Sequence, residues 1–153
     1  MKKQLLRTSF INLTVMCLCV SVTACSQSAN DLEKTEGDPE LNGMAIAFVN
    51  DFFSTMKNGS AYNFSEKGTD MMVKNLTPEI QKKVYDDISR ECGEFIKAAY
   101  AETYVQKSAP DFRILRLKAD FSDCDKKWEL RVVYDNDKKI AGYWIKPWND
   151  VLM

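Results

Sequence analysis

The 153 residues include no histidine, which makes the five cysteines and 22 carboxylates the first candidates for chemistry. Ser-His and Cys-His nucleophilic pairs, histidine-ligated zinc or haem, and pH sensing through imidazole are thereby excluded. The acids are plentiful but poorly placed for proton transfer. Asp120, Asp123, Asp125, Asp135 and Asp137 fall at turns or on charged faces, where the plain reading is a solvated carboxylate. Glu129 and Arg131 alternate with apolar residues and are expected to face solvent or a partner. Asp123-x-Asp125 has part of a calcium-loop spacing but lacks the glycine and the closing glutamate. No phosphate-binding glycine loop, metal-ligand cluster or nucleophile elbow occurs, so neither a cofactor nor a metal is expected.

The cysteines divide by position. Lys2, Lys3 and Arg7 open the chain with positive charge, and Phe10 to Val22 is largely apolar but short for a bilayer span. The run ends in Val22-Thr23-Ala24-Cys25-Ser26. This ending resembles the lipobox of bacterial lipoproteins: an aliphatic residue, two small ones, then the cysteine that is acylated and becomes the first residue. The alternative is a plain secretory signal cut after Ala24. The resemblance implies a leader over 1–24 that takes Cys17 and Cys19 with it, and a lipid anchor on Cys25. Several acyl chains hold a protein on a membrane stably where one binds only marginally. The expected place is the cell envelope, and Ser26 resembles the outer-membrane sorting pattern where there are two membranes. Cys92 and Cys124 then remain, outside the reducing cytosol, and a disulfide between them is expected. The alternative is two separate thiols, with Cys92 buried as a small hydrophobe.

Charge argues against nucleic acid. Without residues 1–24, which hold three of the 21 basic residues and no acid, 18 basic residues face 22 acids. A weakly acidic domain with no basic stripe cannot neutralise phosphates in a row.

The elements follow from spacing. Residues 25–40 hold one large apolar side chain and many acids, and read as a flexible tether. The folded domain is expected over 41–153. Leu41, Ala45, Phe48, Val49, Phe52, Phe53 and Met56 recur at three and four, the stripe of an amphipathic helix that Gly59 ends. Tyr62 to Leu76 predicts one or two short helices. Thr77-Pro78-Glu79 starts another, which Gly93 ends. Phe95 to Val105 is taken as strand on its aromatic and β-branched residues. Phe112 to Phe121 alternates as a strand, with a bulge expected at Ile114-Leu115.

Lys127 to Pro147 is the clearest signal. Trp128, Leu130, Val132 and Tyr134 alternate with Glu129, Arg131 and Val133, and Asp135-Asn136-Asp137 reads as a tight turn into a second strand. With Asn136-Asp137 as the turn, Val132 faces Ala141 and Leu130 faces Tyr143. The second face then carries Val133, Ile140 and Trp144. That patch is more apolar than a solvated face requires, and a homodimer or partner contact through it is expected. The alternative is that Trp148, Val151 and Leu152 fold back over it. Helices first and antiparallel strands after them give an α+β class, with N-terminal helices on one face of a curved antiparallel sheet.

Phe52-Phe53, Lys57-Asn58-Gly59, and above all Leu130-x-Val132-Val133-Tyr134-Asp135-x-Asp137-x-Lys139-Ile140-Ala141-Gly142-Tyr143-Trp144 carry a family resemblance. They resemble a bacterial domain family of unknown function, found alone in small exported proteins and in front of α/β-hydrolase domains. The family belongs to the nuclear-transport-factor-like, cystatin-cone fold group. The resemblance implies three helices against a strongly bent sheet, a conical cavity between them, and no assigned catalytic residue. Members commonly carry glycine after the turn acid, where this chain has Lys138.

Two functions fit. One is a non-catalytic lipoprotein that binds a small apolar ligand in the cone, or a protein on the open sheet face. Tyr62, Phe64, Met72, Tyr100, Tyr104, Trp128 and Tyr143 would line the pocket or, equally, fill a core. The other is an envelope enzyme of the isomerase or cyclase type, which needs a carboxylate of raised pKa in the cavity near a tyrosine. No acid falls on the inner face of the hairpin, which favours binding.

Overall fold

One apolar stripe seeds the interior. Ala45, Phe48, Val49, Phe52 and Phe53 of a single helix are buried together. The structure is a computed structural model and describes residues 31–152. The expected leader over 1–24, the expected lipidation site Cys25 and residues 26–30 lie outside the described residues.

The elements run β1 (Leu32–Thr35), α1 (Pro39–Lys57), α2 (Asp70–Asn75), α3 (Pro78–Cys92), β2 (Phe95–Gln106), β3 (Ala109–Phe121), β4 (Trp128–Tyr134) and β5 (Ile140–Pro147). The class is α+β. The strands form one antiparallel sheet in the order β1-β2-β3-β4-β5.

The stretch expected as tether is therefore structured in its second half. Leu32 pairs with Gln106 and Thr35 with Thr103, so β1 forms an edge of the sheet. Asp38 caps α1 by accepting the Glu40 N–H at 2.8 Å, and Pro39 occupies the first turn. Apolar content could not reveal β1, because an edge strand can be held by its backbone hydrogen bonds.

α1 packs on the inner face of the sheet. Phe53 stacks on Phe95 at 4.4 Å between ring centroids and meets Phe121 edge-on at 5.6 Å. Leu115, Leu117, Leu130 and Val132 bury completely beneath the helix layer. Offset and edge-to-face pairs of this kind add about 0.5–1.5 kcal/mol each beyond burial.

Gln81 of α3 is buried and ties the loop before α2 to the helices. Its side chain accepts the Tyr62 N–H at 2.8 Å and donates to the carbonyls of Tyr62 and Leu76. α3 ends at Gly93 with φ 74°, and a β-carbon there would meet Ser122 and Asp123. This close approach brings Cys92 and Cys124 together in a disulfide, with Cα atoms 4.9 Å apart, inside the usual range for a bridge.

Two strand expectations need correction. β3 has no bulge at Ile114-Leu115. The register against β2 shifts at Ile96 and Ala101 of the partner strand, and on β3 itself only near the hairpin tip, between Ala109 and Arg113. The final hairpin pairs Leu130 with Ile145 and Val132 with Tyr143, two residues away from the expected register. The turn is longer than two residues. Lys139 O accepts the Asp135 N–H at 3.0 Å, and Lys138 takes φ 57°, the position where the resembling family carries glycine.

Candidate functional site on the outer face of the sheet

Pairing across β2 to β5 sets the outer face. Glu102, Arg116, Arg131 and Trp144 form one cross-strand row, and Lys118, Glu129 and Lys146 the next. Arg116 and Glu129 are completely buried there, although both sit on the side away from the helices. Glu129 is thus not the solvated acid its alternation implies. The chain after β5 turns back over its partner Arg116.

Arg116 is the hub. Its guanidinium donates to Glu129 at 2.7 Å, and also to Glu102 and to the backbone carbonyl of Asn149. The ring of Trp148 lies over Arg116 at 4.2 Å and over Lys118 at 4.4 Å, two cation–π contacts on one indole. Arg131 donates to the other Glu129 oxygen at 2.6 Å, and the Lys146 amine stands 3.9 Å from Glu129. Lys34 of β1 bonds Glu102 at 2.8 Å and ties the edge strand into the network.

The electrostatics follow from these contacts. Burial alone pushes Glu129 up. Hydrogen bonds from Arg116 and Arg131, with the charges of Arg131 and Lys146, outweigh it and hold the carboxyl below its ordinary range. Glu102 follows the same pattern: burial raises it, while the Lys34 bond and the Arg116 charge pull it below the usual value. Both acids are fixed anions saturated with donors, an arrangement that holds charge in place and does not take up protons near neutrality.

The chain matches no family model, no curated protein and no solved structure. Its site is therefore read from its own geometry.

The residues expected to line a pocket gather on the inner side, except one. Tyr62 packs on Phe64 at 4.9 Å, and Tyr143 on Phe48 at 5.0 Å and Phe52 at 5.2 Å. Trp128 meets Phe121 edge-on, Met72 is buried, and Tyr100 bonds the Thr103 hydroxyl at 3.0 Å. Tyr104 pairs with Ile114 and points to the outer side instead. The inner rings fill space against one another. The Tyr62 and Tyr143 hydroxyls are buried and have no hydrogen-bond partner among the described residues. Burial pushes the Tyr143 hydroxyl up, and burial with Tyr62 nearby does the same to Tyr134, so both stay neutral. An open hollow of about 450 Å³ lies elsewhere, between α1 and the following loop, with Asp51, Ser54, Asn63 and Lys67 on its walls.

The expected interface divides. Val133 and Trp144 are half-buried on the outer face. The Trp144 ring lies so close over Gly142 that a β-carbon there would stand 2.2 Å from it. Ile140 is not on this face. A shift between Val133 and Tyr134 leaves Ala141 as the extra residue and pairs Ile140 with Tyr134 in the core, where it is 1% exposed. Lys67 O accepts the Ile140 N–H at 2.7 Å and fixes it there.

Sequence reading missed Arg116, Gln81 and the buried state of Glu129. For Arg116 a signal existed: opposite charges at facing outer positions of β2, β3 and β4, followed by a tryptophan just past the last strand.

Proposed function

We propose that this chain is a cell-envelope lipoprotein, anchored through acylated Cys25, whose cone-like domain is non-catalytic and binds a protein partner on the outer face of its sheet. The single observation that carries the reading is the division of labour between the two faces. Aromatic rings occupy the inner side against each other. The outer side presents Trp144 half-exposed beside a rigid charged network. Tryptophan flanked by arginine is the usual composition of an interface anchor. The isomerase or cyclase alternative needs a cavity carboxylate with a raised pKa. Among the described residues the buried carboxylate is Glu129, which lies on the outer face and is lowered. A small apolar ligand in the cone is less favoured for the same reason that the inner rings touch.

Native mass spectrometry of gently solubilised membranes tests this. The expected result is a protein partner, a second copy or another chain, that is lost in Trp144→Ala. A retained small molecule that survives the substitution, with no protein partner in either sample, would overturn the reading.

A further inference from the structure

The position of β1 fixes where an anchored domain meets its membrane, an inference that rests on acylation of Cys25. Asp31 opens the described chain at one end of the sheet. Its carbonyl accepts the Lys107 N–H at 2.8 Å, and its carboxylate accepts from Ser108 N at 3.0 Å and from Gln106 at 2.9 Å. The N-terminal strand is thus buckled to the tip of the β2–β3 hairpin. The β4–β5 turn lies at the same end, since Arg113 pairs with Tyr134 and Asp111 accepts from Asn136 at 2.7 Å.

Cys25 and Asp31 are six residue steps apart, a reach of at most about 20 Å when fully extended. β2 runs from Gln106 back to Phe95 with two residues out of register, which puts the opposite end of the sheet about 30 Å away. An anchor that short holds the Asp31 end next to the bilayer and the far turn, Ser122 to Lys127, in water. The near end has the chemistry for that place. Phe112 is 37% exposed there, and aromatic rings settle at headgroup level. Lys107 and Lys139 are exposed beside it, and cations near a membrane surface are drawn to anionic lipid. Asp31, Asp111, Asp135 and Asp137 at this end carry charge as well, so the short tether and Phe112, not net charge, set the orientation.

We infer that the β2–β3 hairpin tip and the β4–β5 turn rest on the bilayer surface, so that the sheet stands on this end and its outer face projects sideways from the membrane. With Cys25 acylated and Cys92 bridged to Cys124, an introduced cysteine is the sole free thiol. A nitroxide is placed on Ser108→Cys or Asp125→Cys of the full lipidated chain in phosphatidylethanolamine–phosphatidylglycerol vesicles. Intact mass first establishes acylation. The expected result is that the Ser108 label is shielded from a water-soluble relaxation agent several-fold more than the Asp125 label. Inserting twenty Gly/Ser residues after Ser28 should erase the difference. Equal accessibility in an acylated chain overturns the orientation and leaves the anchor standing. An unacylated Cys25 overturns both, and the mass tells the two failures apart.

Discussion

Glu129 has no exposed surface, yet it is an anion. Burial works against its charge, and three contacts, from Arg116, Arg131 and Lys146, outweigh that cost. Its folded pKa lies below the ordinary 4.5. The stability it supplies is therefore fully present above the unfolded value and is lost as pH falls through the folded one. Removing one partner of a buried pair leaves the other charge stranded, which typically costs on the order of 3–5 kcal/mol. Glu129→Gln is expected to lower urea stability by about 3 kcal/mol at pH 7, with the gap to wild type narrowing as pH drops below 4.5. Equal acid sensitivity in both proteins would contradict this role. None of this was legible from alternation, which assigns Glu129 to the outer face correctly but cannot say that the chain returns over its partner Arg116. Trp148 and Asn149, the residues that do so, lie beyond the last strand and show no period.

At the scale of elements, caps and stripes were readable and connections were not. The helix start at Pro78 was readable from Thr77-Pro78-Glu79, although the Thr77 side chain makes no cap hydrogen bond, whereas the Asp38-capped start at Pro39 lay in the stretch read as tether. The core rows of β3 and β4 follow a period of two. What failed depends on two extra residues: the longer turn with Lys138 at positive φ moves the pairing by one and turns Ile140 inward, and Ala141 moves it by one more. β1 escaped because pairing through backbone groups leaves no apolar signature. The Cys92–Cys124 bridge spans 32 residues between the end of α3 and the β3–β4 turn. Loop-closure entropy for that span is worth about 3–4 kcal/mol. A Cys92→Ser, Cys124→Ser double variant is expected to lose about that much stability while keeping its fold, since Cys92 O still accepts the Asp123 N–H at 2.9 Å. Loss of all cooperative unfolding in the variant would mean that the bridge, and not this hydrogen bonding, holds the helix end to the sheet.

For the whole molecule, the helices close one face of the sheet and the C-terminal residues close only the middle of the other. Trp148 shields Arg116, but Val133 on β4 and Trp144 on β5 stay half-exposed. That arrangement leaves a defined lateral patch on a body whose interior is already filled. The class and the inner face could be read from sequence because they depend on periodicity. The patch could be read only in part, because its limits depend on tertiary cover. The most direct measurement is site-specific photocrosslinking with benzoylphenylalanine at position 144 in the cells that make the protein, with position 96 as control. Ile96 is 59% exposed at the start of β2. The account predicts a discrete protein crosslink from position 144 and none from position 96. No crosslink at 144, or equal crosslinking at both, would contradict it.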